Sequence, residues 1–407
     1  MENGIEFIDG GITAAPGFTA SGTYCGIRAN RTKRDLALIM AEKPCAAAAV
    51  YTLNKVKAAP LLLTMEHLKD GTAQAILVNS GNANACAPGG MEAAKASAEA
   101  VAACAKLQPS DIIVSSTGVI GVPLPVEPIV RGAAALVEGL SRDGTTAAEA
   151  IMTTDLYPKS AAVRFRLGGK TVTLGGIAKG SGMIHPNMAT MMAFVTTDCD
   201  IDAGLLEQAL RESSAKTYNR ISVDGDMSTN DMAVVLASGT AGNPRINEKN
   251  ADYAVFAQAL NAVNLRLAKA IAKDGEGATK LVTAHVHGAV SEDNAAKLAM
   301  SVISSSLVKA AMFGSDANWG RVLCAMGYSG AEFRTDGVDV SFASSAGTVA
   351  VCKDGMGLAF DETLAKQVLS LDEITIDIQL HEGTHEAMAY GCDLTYDYVK
   401  INGDYRS

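Results

Sequence analysis

Lys179-Gly180-Ser181-Gly182-Met183-Ile184-His185-Pro186-Asn187-Met188-Ala189-Thr190-Met191-Met192-Ala193-Phe194-Val195 is the stretch around which this chain is organised. Glycine and the Pro-Asn pair are strong punctuation, so the segment before Ala189 reads as loop. Met191 to Val195 is a short unbroken apolar run, as expected of a buried strand. Thr190 falls where the two meet. A hydroxyl at the mouth of a buried strand, beside a lysine and several backbone N–H groups, suits an acyl-transfer nucleophile. Threonine attacks poorly until something removes its proton. One solution is a threonine made N-terminal by chain cleavage, whose own α-amine is the base. The plain competing reading is a glycine loop feeding an ordinary core strand.

Working outward, the 407 residues suffice for a sizeable core, either as two or three domains or as one large α/β body. A formal net charge of −10 argues against nucleic acid or an anionic membrane as partner. The short basic cluster of Arg28, Arg31, Lys33 and Arg34 reads as a solvated face. Eight scattered cysteines without C-x-x-C spacing fit reduced thiols better than a disulfide frame or a zinc site. The start, Met1 to Glu6, lacks a basic segment followed by an apolar one, and no run is long enough to span a bilayer. The expectation is a soluble, cytoplasmic protein with no metal.

Before the central stretch, Leu36 to Met40 and Cys45 to Tyr51 read as strand, as does Ala75 to Ser80 running into Gly81-Asn82-Ala83-Asn84-Ala85-Cys86. Met91 to Leu107, rich in Ala, Glu and Lys, predicts a helix. Asp111 to Gly121 predicts a strand ending in the polar turn Ser115-Ser116-Thr117-Gly118, of a kind that presents N–H groups or hydroxyls to an oxyanion. Thr153-Thr154-Asp155 closes a short helix or cap, and Arg164 to Leu174 predicts a hairpin around Gly168-Gly169.

After it, Asp202 to Tyr218 and Ala251 to Ala272 show helical spacing, the latter leading to Gly275-Glu276-Gly277. A carboxylate between two glycines is well placed to approach a ligand. Further on come a helix over Asn294 to Val308, strands over Tyr328 to Ala343, a short helix over Leu364 to Leu369, and a hairpin from Ile374–Ile378 through Ala387–Tyr390.

Three motif matches are set aside. Asp224 to Asp231 has the acids of a calcium loop, but Thr229 stands where that loop needs glycine. His381-Glu382-Gly383-Thr384-His385 matches the helical zinc-protease motif, but its flanks alternate as β and Gly383 opposes a helix. The Gly175 to Gly182 segment lacks the Gly-Lys-Ser/Thr of a phosphate loop.

The central stretch resembles the self-cleaving segment of the ornithine acetyltransferase (glutamate N-acetyltransferase) family. The likeness continues in Val50-Tyr51-Thr52-Leu53-Asn54, in the Gly81 to Cys86 loop, and in Cys392 to Asn402. It implies an α/β fold of stacked β layers flanked by helices, autocleaved at Ala189–Thr190 into two intertwined chains, 1–189 and 190–407. It implies an arginine-biosynthesis acetyltransferase that moves the acetyl group of N2-acetylornithine to glutamate by a ping-pong route through acetyl-Thr190. Thr117 and Gly118 would form the oxyanion hole. One of Thr153 and Thr154, with Lys179, Glu276, Asn402 and Ser407, would line the substrate site. Family members often end in threonine, so Ser407 is a mild departure. His185 is expected to shape the loop. The resemblance implies no cofactor, leaves open acetyl-CoA as a co-substrate, and points to a heterotetramer of two such chain pairs. The alternative is an amidase or aminopeptidase using the same Thr190 and passing the acyl group to water.

Overall fold

The computed structural model describes residues 4–28, 32–185 and 191–404. Unbroken apolar runs build the central strands of its first sheet, because successive side chains point to opposite faces and both faces are covered. In chain order the strands of this sheet are β1 (Glu6–Ile8), β2 (Phe18–Thr23), β3 (Leu36–Tyr51), β4 (Thr72–Asn82), β5 (Ile112–Val119), β6 (Lys159–Leu167), β7 (Lys170–Lys179) and β8 (Met192–Thr197). The short β9 (Ile221–Ser222) belongs elsewhere, and β10 (Met232–Ala237) completes the set. Their spatial order is β1-β6-β7-β8-β10-β3-β4-β5, with β2 also paired to β3. Strands from before residue 189 therefore flank the β8–β10 pair on both sides.

Each face of this sheet has its own core. Ala193, Val195, Ala233 and Val235 face helices Ala203–Lys216 and Ala251–Lys273. Met192, Phe194, Met232 and Val234 point the other way, into a core with Phe18, Ile39, Ile76 and the Thr145–Ala150 helix. Helices Gly90–Ala105 and Val126–Glu138 cover Leu36, Leu38, Leu77 and Val114 at the β5 end.

The second sheet runs β14-β13-β12-β15-β11-β16-β9. Its later strands are β11 (Leu281–Ala289), β12 (Asp339–Ser344), β13 (Gly347–Lys353), β14 (Met356–Gly357), β15 (Glu373–Gln379) and β16 (His385–Cys392). Val282, Ala284, Val286, Ile374, Ile376 and Ile378 pack against helices Glu292–Ser304, Ser306–Phe313, Trp319–Gly327 and Glu362–Leu369. The molecule is thus α/β, with two β layers and helices laid against them. Among the described residues no single helix is long and apolar enough to cross a membrane. None of the eight cysteines is in a disulfide.

Three expectations fail in the C-terminal third. β15 and β16 are not a hairpin: β11 lies between them, parallel to β15 and antiparallel to β16. The helix expected over 294–308 breaks at Ser305, whose hydroxyl caps the next helix by accepting from the Val308 N–H at 3.4 Å. Tyr328 to Ala343 holds strand only from Asp339, the segment before it being irregular after the unforeseen helix Trp319–Gly327. The His381 to His385 motif is a loop running into β16, with His381 at φ 57° and its Nε2 2.9 Å from Asp339.

Candidate active site

β7 carries the chain to the centre of the first sheet, so that Lys179 is its last strand residue and the loop begins at Gly180. Gly175 and Gly176 are strand residues, not loop. At the parallel β4–β5 edge, Thr117 pairs with Ser80 and Gly118 with Gly81. Gly118 has φ 133°, and a Cβ there would overlap the Gly81 carbonyl carbon, so glycine is what lets the two strands close.

Seven of the expected site residues meet in one cavity of about 150 Å³. Thr117, Gly118, Thr153, Thr154, Lys179, Glu276 and Asn402 all line it, and so does Met191, the residue after Thr190. Both threonines of the Thr153-Thr154 pair reach it. Ala189, Thr190 and Ser407 lie outside the described residues. His185 is not among the lining residues; its Nδ1 is 3.0 Å from the Ser222 hydroxyl, a placement that fits loop shaping.

Lys179 is buried and donates from Nζ to Thr117 Oγ1 at 3.3 Å. Because that oxygen accepts, the Thr117 hydrogen stays free to donate into the cavity. From the opposite wall Asn402, on helix Tyr396–Asp404, donates to Glu276 Oε2 at 2.8 Å. Glu276 lies directly over Gly182, where any side chain would collide with its carboxyl group.

Behind these walls lies a buried charge network. The Asp155 carboxylate accepts from the N–H groups of Thr153 at 2.9 Å and Gly180 at 2.7 Å. Lys159 Nζ is 2.7 Å from Asp155 and 2.6 Å from Asp274, and all three side chains are buried from solvent. Asp274 in turn accepts from the Leu156 N–H at 3.1 Å and, through its carbonyl, from the Ser181 hydroxyl at 2.6 Å. The Ser181 carbonyl accepts from the Glu276 N–H at 2.9 Å. The Thr153, Lys179 and Glu276 walls are therefore fixed to one another. Burial opposes the Asp155 charge, but the Lys179 and Lys159 ammonium groups and the Gly180 N–H outweigh it, holding that carboxyl well below the usual carboxylate range. Burial raises Asp274 against the pull of Lys159, and it lowers Lys179 against the pull of Asp155.

Asp224 anchors the loop that leads to the expected scissile bond, accepting from the N–H groups of Met183 at 2.6 Å and Ile184 at 2.8 Å. Asn230, also lining the cavity, donates to the carbonyls of Ala83 at 2.6 Å and Ser116 at 2.7 Å, tying the β5 end to the Gly81 to Cys86 loop. Sequence reasoning did not single out Asp155, Asn230 or Asp231. For Asn230 and Asp231 a usable signal was present, since two polar residues stand directly before the wholly apolar strand β10. Chemically, the cavity sets a free hydroxyl, an ammonium, a carboxylate and an amide around a space suited to an amino-acid-sized molecule.

An ArgJ family model matches residues 19–407. The arginine biosynthesis bifunctional protein ArgJ of Caldanaerobacter subterraneus subsp. tengcongensis is 51% identical over 405 residues, covering 99% of this chain and 100% of its own. Its counterpart in Symbiobacterium thermophilum is 53% identical over 406 residues, covering 99% and 100%. The crystal structure of arginine biosynthesis bifunctional protein ArgJ from Bacillus halodurans aligns with a TM-score of 0.50 at 45% identity, covering 53% of this chain and 100% of that one.

Proposed function

This chain belongs to the ArgJ family and is an acetyltransferase of arginine biosynthesis, and we propose that it cleaves itself before Thr190 and uses the new terminus to carry acetyl from N2-acetylornithine to glutamate. The observation that carries this reading is the shared cavity, where residues from five separate segments converge beside Met191.

In the proposed cycle the Thr190 α-amine takes the Thr190 hydroxyl proton as the oxygen attacks the acetyl carbonyl. The developing oxyanion receives hydrogen bonds from the Thr117 hydroxyl and the Gly118 N–H. The C–N bond then breaks, the proton passes to the leaving nitrogen, and ornithine departs. The glutamate α-amine attacks acetyl-Thr190, the oxyanion forms again, and N-acetylglutamate leaves as the Thr190 hydroxyl is restored. Lys179 offers a positive charge to a substrate carboxylate, and Glu276, held by Asn402, offers a negative charge to a substrate ammonium.

Cleavage gives segments 1–189 and 190–407, two of each assembling in the cytoplasm as a heterotetramer. The matched Bacillus halodurans chain aligns in full yet covers 53% of this chain, which fits a family whose chains are divided near the middle. No cofactor takes part in the cycle. Acetyl-CoA as a second acetyl donor to glutamate is part of this proposal. The arginine-biosynthesis designation of the relatives disfavours the hydrolytic alternative.

Intact mass under denaturing conditions tests the premise of this cycle. Two fragments meeting at Ala189–Thr190, replaced by one 42.0 kDa chain in Thr190→Ala, are expected. An uncleaved chain that still transfers acetyl would overturn the N-terminal-amine mechanism. Ornithine release that needs glutamate for turnover marks a transferase, whereas equal turnover without glutamate marks a hydrolase.

A further inference from the structure

The second sheet has a polar face turned away from its helices. On β11, His285 and His287 are two residues apart and so project to that same face, their rings stacked with centroids 4.8 Å apart. Asp377 stands directly across from His285 in the β11–β15 register. Its two carboxylate oxygens divide between the histidines: Oδ1 is 3.3 Å from His285 Nδ1, and Oδ2 is 3.2 Å from His287 Nε2. On the β16 side, Glu386 Oε2 lies 3.1 Å from His285 Nε2. None of these residues lines the cavity of the candidate active site.

His285 thus has a carboxylate at each ring nitrogen. A neutral imidazole carries one N–H and one lone pair, so it satisfies only one of them by hydrogen bonding. The other nitrogen then turns its lone pair toward carboxylate lone pairs, and a cation is needed between them. A proton would answer for His285 alone. His287 meets the other oxygen of the same carboxylate from Nε2 at 3.2 Å, so one Asp377 side chain gathers a nitrogen from each ring, and a metal ion is the single cation that would serve all three groups at once.

We propose that His285, His287 and Asp377 bind a divalent transition-metal ion of the zinc class, with Glu386 as the carboxylate that orients His285. One ligand atom from each of the three lies within 4.8 Å of the others. Bonds of about 2.0–2.1 Å to nitrogen and oxygen put neighbouring ligand atoms of a tetrahedral site roughly 3.4 Å apart. The 3.3 and 3.2 Å separations run to different oxygens of Asp377, and the three ligand atoms span up to 4.8 Å, so closing on one ion takes a turn of the Asp377 carboxyl group and an approach of the two rings. Glu386 at the remote nitrogen of His285 is the outer-shell carboxylate that metal-binding histidines commonly use. Two imidazoles and a carboxylate favour zinc, nickel or copper over calcium or magnesium, which take oxygen ligands. Three protein ligands leave a fourth position for water. The ion would join β11 to β15 through side chains as well as through their backbone ladder.

The test is calorimetric titration of zinc into chelator-treated, full-length protein, beside His287→Ala, Asp377→Asn and Glu386→Gln. The expected result is one zinc per chain in the unmodified protein. Affinity should fall at least tenfold in His287→Ala and Asp377→Asn, and by roughly ten- to a hundredfold in Glu386→Gln. Cobalt in place of zinc should give the visible absorption of a four-coordinate nitrogen and oxygen site, lost in His287→Ala. Acetyl transfer should be retained in all three variants, which shows that they fold. No zinc binding by the unmodified protein, or binding that all three variants leave unchanged, overturns the proposal.

Discussion

The Lys179 ammonium stands 3.3 Å from the Thr117 hydroxyl, joining the last residue of β7 to the end of β5 across the cavity. This contact uses the Thr117 oxygen as an acceptor and leaves its O–H available as a donor. Thr117→Val keeps the shape and removes the donor. We expect kcat to fall by about 10²–10³ with KM little changed, the usual cost of one lost oxyanion donor. Steady-state kinetics on N2-acetylornithine and glutamate check it.

The same lysine sets a pH limit. Burial lowers its pKa from the ordinary lysine value. If the charged form holds a substrate carboxylate, kcat/KM declines as pH rises through that lowered pKa, earlier than a solvated lysine would allow. A guanidinium stays charged across this range. In Lys179→Arg the alkaline limb of the profile should therefore move to higher pH, whatever happens to its height. An unmoved limb would assign the titration to another group.

Asp155→Asn should destabilise the protein by about 3 kcal/mol at neutral pH, because it leaves the buried Lys159 short of one partner. The folded-state pKa of Asp155 is depressed, so its contribution is present above the unfolded value of about 3.9 and disappears as pH falls toward the folded one. Urea melts of the two proteins should accordingly differ widely at pH 7 and converge in acid. Burial raises Asp274, which works in the opposite sense, and removing the Asp155 charge also relieves the repulsion that adds to that rise.

Gly118→Ala places a methyl group where β4 already stands, at a backbone conformation L residues rarely adopt. We expect a loss of more than about 1 kcal/mol in thermal melts, together with loss of activity, since Thr117 is the preceding residue of the same strand.

Much of the first sheet was legible because its strands announce themselves locally. Leu36 to Met40 and Cys45 to Tyr51 are apolar runs that the structure joins in one strand, β3, while Ala75 to Ser80 lies in β4 and Met192 to Val195 in β8. Asp202 and Asn250 mark the starts of their helices by capping, which is also a local signal. What failed was long-range. Nothing within Ile374 to Tyr390 says that Leu281 to Ala289 will insert between its two strands. Ser305 looks like a tolerable helix residue until the chain turns there and its hydroxyl caps the next segment. At the site, the resemblance supplied residues that the structure brings to one cavity. Asp155 was missed because its role depends on long-range neighbours: the Gly180 N–H that it accepts from, and Asp274, which shares Lys159 with it, come from distant segments.

The arrangement of the first sheet bears on the order of events during synthesis. A ribosome delivers β1 to β7 well before β8 and β10, yet those two occupy the middle of the sheet between β7 and β3. The strands made early form two separated flanks that stay unjoined until residue 237 has emerged. The cavity, which draws on both flanks and on Asn402, is assembled later still. Self-cleavage at Ala189–Thr190 would then act as a certificate of completed folding, since the geometry it needs does not exist in a nascent chain. Once cut, the halves would separate only by tearing the β7–β8 and β10–β3 ladders together. The lifetime of the nicked pair would therefore be set by the unfolding rate of the sheet, and diluting it would not release either half.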